Sequence, residues 1–191
     1  GLHKVDNARF AQAWADPDID YSAYDKILPG QAFFEFRAVK KTSAAPVQRT
    51  ISDEDEFWID DDAKLKLIDE VTRIFQEELA KSTRFAVATE PGPDVLIIRG
   101  GLHDIVSRVP PEMIGRGEVY LRSVGEATLI LEAVDSMSGE TIFRAVERRS
   151  AERSGGPMTE ASTVTTWAEV RRLARKWATT LREGLDSIPR S

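Results

Sequence analysis

The residues that could act in catalysis are few, and the first of them is the pair His103-Asp104. The chain of 191 residues has two histidines, His3 and His103, and only His103 has a carboxylate next to it. A carboxylate that orients a histidine is the arrangement that activates a serine nucleophile. No Gly-x-Ser-x-Gly elbow accompanies the pair. The sequence therefore favours a surface or strand-end histidine, with a hydrolase built on His103, Asp104 or a pair of carboxylates as the alternative.

Acidic and glycine-rich segments are the other places where a ligand might bind. Seven carboxylates lie in the runs Asp53–Glu56 and Asp60–Asp62. They lack the alternating ligands, central glycine and final glutamate of an EF-hand, so helix capping is the simpler interpretation. Gly100-Gly101 and Gly115-x-Gly117 lack the lysine and the following helix of a phosphate loop. From these patterns we predict no catalytic, cofactor-binding or metal-ligating residue.

Composition narrows the class of protein further. The net charge of −6 gives no general attraction to nucleic acid or to an anionic membrane. The absence of cysteine excludes disulfides, thiol nucleophiles and thiolate metal sites within this sequence. Hydrophobic residues make up 41%, which supports a substantial core. We expect a single domain over 1–191, with an irregular N-terminal arm at 1–22 and an α+β core at 23–191.

An amphipathic helix from Lys64 to Lys81 is predicted as the centre of the core. Its apolar residues recur at helical spacing, and Asp60–Asp62 are suited to cap its start; the stripe consists of Ile68, Val71, Phe75 and Leu79, widened by Leu65, Leu67 and Ile74. A short strand at 84–88, a turn at Pro91-Gly92-Pro93 and an apolar strand from Val95 should follow. Gly100-Gly101 within that strand predicts a bulge or a close approach of another backbone.

The remaining elements are expected on both sides of this unit. Before it we predict one or two helical turns at 8–15 and two extended segments, 24–28 and 32–39, interrupted at Pro29-Gly30. After it we predict a β-hairpin formed by 118–134 and 141–148. A last helix should run from Thr163 to Asp186, with a buried stripe of Trp167, Val170, Ala174, Trp177, Leu181 and Leu185. Its basic residues Arg171, Arg172, Arg175, Lys176 and Arg182 are interpreted as a solvated face rather than a phosphate-binding surface.

Together these elements predict a two-layer α+β sandwich. Each long helix has one apolar stripe and one charged face, so both should pack on one face of a mixed, mostly antiparallel sheet. Ligand carriage would require a sizeable apolar cavity between the helices and the sheet.

Several segments resemble the DUF3313 family. They are AWADPDIDYSAYDKIL at 13–28, EPGPDVLIIRGGLHDI at 90–105, GEATLILEAVDSMSGETIFRAVERR at 125–149 and the tryptophan-containing last helix. The resemblance implies a periplasmic domain of a bacterial lipoprotein, anchored to the outer membrane of a Gram-negative cell through a lipidated cysteine upstream of residue 1. It implies no catalytic residues and no cofactor.

The function expected from residues and resemblance together is a non-enzymatic envelope module that binds a protein partner. The aromatic N-terminal arm and the proline-rich loop Val109–Gly117 are candidate contact surfaces. A small-molecule or glycan hydrolase and a carrier with an apolar cavity are the alternatives.

Overall fold

The computed structural model describes residues 1–39, 55–109, 120–121, 123–152, 159–160 and 163–191. Within these ranges the order of elements is β1 (His3–Lys4), β2 (Gln12–Ala15), β3 (Lys26–Phe36), α1 (Asp61–Ala80), β4 (Ala86–Val87), β5 (Val95–Ser107), β6 (Tyr120–Leu121), β7 (Ser123–Asp135), β8 (Thr141–Glu152), β9 (Thr159–Glu160) and α2 (Thr163–Asp186).

The main sheet has the strand order β1-β2-β8-β7-β5-β3-β4. The four pairings from β1 to β5 are antiparallel, whereas β3 pairs in parallel with both β5 and β4. Strands β6 and β9 form a separate two-stranded pair. Apolar residues of α1 and α2 share one core cluster with the inner face of the sheet. The predicted mixed, mostly antiparallel α+β sandwich is therefore confirmed.

Helix α1 begins where its carboxylates predict. The Asp60 side chain accepts a hydrogen bond from the Ala63 N–H at 2.7 Å and caps the first turn. Val71 and Ile74 are buried against the sheet, as expected. Leu65 was wrongly assigned to the stripe, since it is 61% exposed. Side chains two positions apart in a helix point about 200° away from each other, so Leu65 cannot share a face with Leu67.

The two helices lie side by side and run in the same direction. Three contacts join them in rising order along both: Glu70 with Arg171, Glu78 with Arg182, and Ser82 with Asp186. Two hydrogen bonds from Arg171 lead the interactions that lower the pKa of Glu70 to about 2. Both helix N-termini consequently lie at the same end of the sheet.

The N-terminal segment departs from the prediction of helical turns at 8–15. It forms β1 and β2 instead, and Phe10 is buried in the core. Pairing with β1 and β8, with Ala13 buried and Trp14 half-buried, overrides the weak helical pattern. The predicted break at Pro29-Gly30 is an irregularity inside the single strand β3. The predicted hairpin is confirmed as β7 and β8.

The glycine pair in β5 marks a close backbone approach, as predicted. A Cβ on Gly101 would lie 1.8 Å from the Phe33 carbonyl oxygen, and one on Gly100 would lie 2.2 Å from the Ile130 oxygen. Only glycine fits at these two crossings. Within the described ranges, neither helix combines the length and the apolarity that crossing a membrane requires.

Candidate functional site: an apolar cavity between the layers

A cavity of about 330 Å³ lies between the N-terminal halves of the two helices and the end of the sheet below them. Five structural elements, α1, β5, β7, β8 and α2, and the segment before α1 contribute its walls. The lining is predominantly apolar and includes Trp58, Ile59, Leu67, Val71, Leu102, Ile105, Val106, Val109, Val124, Val170, Leu173 and Trp177. This is the sizeable interlayer space that ligand carriage would require.

Small residues at facing positions account for the space. Five of them line the cavity, one or two from each of four elements: Ala63 on α1, Gly125 and Ala127 on β7, Ala151 on β8, and Ala174 on α2. The same layers are filled further along by Ile74, Leu129 and Leu181, all buried. The cavity therefore arises where short side chains meet across an interface that large ones fill elsewhere.

The inner end of the cavity is a fixed wall. Trp177 is buried there, and its indole N–H donates to the Glu147 carboxylate at 2.7 Å. Glu147 also accepts from the Arg149 side chain at 2.9 Å and from the Ala11 N–H at 3.1 Å. A buried carboxylate with three donors is well satisfied, so this end is polar behind the indole and apolar on the cavity side.

The outer end lies at the helix N-termini. The Phe57 N–H donates to the Ser107 carbonyl at 3.0 Å, which places Trp58 and Asp60 beside the end of β5. On the other side, Trp167 of α2 lines the cavity, and the Lys66 ammonium lies 4.6 Å from its ring centroid. These residues are half-buried or exposed, so a ligand can enter here.

Two polar groups in the lining differ in how they are satisfied. The Thr166 hydroxyl oxygen is buried and has no hydrogen-bond partner among the described residues. Glu126 accepts from Arg108 at 3.0 Å and from Arg148 at 2.8 Å. Burial alone would raise the pKa of Glu126, but these two arginines lower it below its usual value. The charge of Glu126 is thus compensated by two arginines, one of which, Arg148, also lies beside Asp104, whereas Thr166 offers an unused donor and acceptor.

The candidate pair His103-Asp104 lies on the opposite, open face of the sheet. The Asp104 backbone has a φ of 52°, and its carboxylate accepts from Arg37 at 2.6 and 2.7 Å. Arg148 lies 3.2 Å away, and the Arg37 hydrogen bonds lower the pKa of Asp104. The His103 side chain is 45% exposed, and its Nδ1 lies 2.6 Å from Glu35. Asp104 is thus engaged by arginines, and Glu35 is the carboxylate beside the imidazole.

The other sequence candidates are distributed over the surface. Asp60 caps α1, and the described residues contain no group of three or more side chains suited to hold a metal ion. On the basic side of α2, Arg171 and Arg182 pair with glutamates of α1, while Arg175 and Lys176 are exposed. Asp53-Glu54, Gly115-x-Gly117 and the rest of the proline-rich loop after Val109 lie outside the described residues.

The lining of the cavity was not identified by sequence reasoning. Trp167, Val170, Ala174 and Trp177 were predicted as a filled stripe, and their spacing is the same whether they meet large or small neighbours. The available signal was the presence of alanine or glycine within four segments that have an apolar periodicity. Using it requires the pairing of those segments, which the sequence does not display.

Fold and cavity together define the class of protein as a two-layer α+β domain with an apolar cavity between its layers. Within that class, the chain belongs to the DUF3313 family, described as a protein of unknown function, whose family model matches residues 1–181. No curated protein sequence matches it.

Solved structures resemble the chain only distantly. A DUF330 protein from Xanthomonas campestris is 12% identical with a TM-score of 0.45, covering 88% of this chain and 87% of that chain. A putative neuraminyllactose-binding hemagglutinin homolog from Helicobacter pylori is 10% identical with a TM-score of 0.43, covering 97% and 92%. The PelC dodecamer from Paraburkholderia phytofirmans is 9% identical with a TM-score of 0.40, covering 94% and 97%.

Proposed function

We propose that this chain is a non-enzymatic binding domain of a membrane-anchored envelope protein, and that it takes an apolar ligand into the interlayer cavity. The observation that carries the proposal is the apolar volume of about 330 Å³ between the two helices and the sheet. Small-molecule sites begin at roughly 300 Å³, and an engineered apolar cavity of about 150 Å³ already binds benzene. The volume is therefore sufficient for a ligand larger than a single ring.

The polar groups near the cavity support binding rather than chemistry. Glu126 and Glu147 are held by arginine and by indole or backbone donors, which leaves neither carboxylate available as a base. On the far face, Asp104 is held by Arg37. These pairings stabilise the fold around the cavity and keep charge out of its apolar interior.

The location is part of the same proposal. The DUF3313 resemblance supports a periplasmic domain tethered to the outer membrane of a Gram-negative cell by a lipidated cysteine upstream of residue 1. Fractionation of the native cells tests it: we expect the protein in the outer-membrane fraction, protected from protease until the outer membrane is permeabilised. Recovery in the cytoplasmic fraction would contradict the location.

A titration with the neutral apolar dye N-phenyl-1-naphthylamine tests the binding function; the dye is larger than the cavity, so part of it would project from the outer end. Trp58, Trp167 and Trp177 line the cavity, three of the four tryptophans in the chain, so energy transfer to the dye reports its position. We expect saturable binding. Ala174→Phe should weaken it by about tenfold or more, because the added ring occupies roughly the space of one benzene.

The matched control removes an exposed aromatic residue far from the cavity. Phe33 is 44% exposed on the open face of the sheet, and Phe33→Ala should bind the dye as the wild type does. Dye binding that depends on Phe33 and not on Ala174 would contradict the cavity as the binding site.

A protein partner on the open sheet face is the second candidate, favoured by the exposed Phe33 ring over Gly101. This candidate predicts that Phe33→Ala loses a specific envelope partner in a pull-down that Leu65→Ala, at an exposed site on α1, retains. Equal recovery with both variants would remove it.

A further inference from the structure

We infer, resting on the proposed function, that the ligand is a single alkyl chain of about twelve carbons with an uncharged, hydrogen-bonding head that meets the Thr166 hydroxyl. Three observations support this inference: the volume and length of the cavity, the buried Thr166 hydroxyl without a hydrogen-bond partner among the described residues, and the charges around the outer end.

The volume and length of the cavity allow one alkyl chain to bind. At the density with which benzene fills a cavity of about 150 Å³, a volume of 330 Å³ holds about thirteen non-hydrogen atoms. The α2 wall extends from Thr166 to Trp177, about 16 Å at a rise of 1.5 Å per residue. Spread over that length, the volume leaves a cross-section of about 20 Å², which admits one hydrocarbon chain but not two side by side.

Thr166 indicates where the polar head lies. Its hydroxyl oxygen is buried without a partner among the described residues, and such a group destabilises a fold. Valine has the same shape and would remove this penalty, so packing does not explain a threonine here. A ligand group that donates to or accepts from the hydroxyl would satisfy it at the outer end of the cavity.

The charges at the outer end favour an uncharged head. Asp60, Asp61 and Asp62 lie at the start of α1, where they already offset the positive pole of the helix dipole. They outnumber Lys64 and Lys66, whose ammonium groups lie over the Phe36 and Trp167 rings. Glu126 is neutralised by its two arginines. Among the described residues, a carboxylate head would lie beside three aspartates, with Lys64 and Lys66 as the nearby ammonium groups at this end.

The experiment is a displacement series against N-phenyl-1-naphthylamine with primary alcohols of six to fourteen carbons and with dodecanoate. Affinity should rise by about fourfold for each methylene that enters the cavity and level off near twelve carbons. Dodecanol should bind about tenfold or more tightly than dodecanoate at pH 8, because the ionised head is not compensated. Affinity that ignores chain length, or a dodecanoate that binds as well as dodecanol, would overturn the inference.

The role of Thr166 is tested with a matched pair of variants. Thr166→Val should lower the affinity for dodecanol by about three- to tenfold, the value of one neutral hydrogen bond, and by a larger factor than it lowers the affinity for the dye. Thr179→Val, on the same helix and outside the lining, should change neither. If both variants bind dodecanol equally, the head does not meet Thr166. If the wild type fails to bind the dye at all, the proposed function itself is contradicted, so the two failures are distinguishable.

Discussion

Filling the cavity should stabilise this protein, and Ala174→Leu is the variant that shows it most clearly. Ala174 is 2% exposed, yet it lines the cavity. The change adds three carbon atoms to an apolar space, at about 0.8 kcal/mol for each buried methylene. Fixing the leucine rotamer opposes this by about 0.5–1 kcal/mol. The free energy of unfolding should therefore increase by about 1–2 kcal/mol.

Ala178→Leu is the matched control, one turn further along the same helix. Ala178 is fully buried and lies outside the cavity lining. Three extra carbons in a filled interface should lower the free energy of unfolding by about 1–3 kcal/mol. Urea denaturation of both variants, followed by far-ultraviolet circular dichroism, measures the two values. Changes of the same sign and similar size would refute the claim that the space beside Ala174 is empty while that beside Ala178 is filled.

Three further predictions concern what holds the layers in place. Arg84→Met should lower the free energy of unfolding, measured by urea denaturation, by about 3–5 kcal/mol. The reason is that the buried guanidinium donates to main-chain carbonyls before β3 and after α2. The control Arg175→Met, at an exposed site, should change this free energy by less than about 0.5 kcal/mol. The pKa of Glu70 is lowered to about 2 in the folded protein. Its contribution to the free energy of unfolding is therefore complete above the pKa of the unfolded chain and is lost as the pH falls towards 2. Wild type should therefore lose about 1–2 kcal/mol more than Glu70→Gln between pH 6 and pH 2, after a discount for the solvent around its arginine partners. Gly101→Ala should reduce the thermal midpoint sharply, since the new methyl meets a main-chain oxygen of β3 at 1.8 Å, whereas Gly184→Ala has room and should gain about 0.5–1 kcal/mol from helix propensity.

These predictions have distinct contrary outcomes. An Arg84→Met variant as stable as Arg175→Met would mean that the guanidinium is not what ties the segment before β3 to the end of α2. Equal acid stability of wild type and Glu70→Gln would remove the contribution of the interhelical ion pair. A Gly101→Ala protein with an unchanged midpoint would contradict the close approach of β3 and β5.

The parts of the fold that sequence reasoning predicted are those with strong local signals. The α2 bounds, Thr163 to Asp186, follow from an uninterrupted stripe of helical period. The hairpin follows from the alternation of Ala127 to Ala133 before the turn cluster at Asp135. In these segments periodicity, turn chemistry and burial all favour the same structure.

The parts that were missed depend on contacts between distant segments. Most apolar positions in residues 8–15 are alanines, which mark neither a helical nor a strand period clearly, and pairing with β8 decides the strand conformation of Gln12–Ala15. Likewise, Pro29-Gly30 would end a strand in isolation, but β5 supports β3 on both sides of the irregularity. The cavity is of the same kind, because Ala127 and Ala174 leave a space only once the sheet and α2 face each other.

The central claim is that an alkyl chain occupies the space between the helices and the sheet. A crystal structure of the chain grown with 1-dodecanol tests it most directly. We expect continuous density from the Thr166 hydroxyl to the Trp177 indole. A cavity closed by repacked side chains, with the alcohol absent or bound elsewhere, would contradict it.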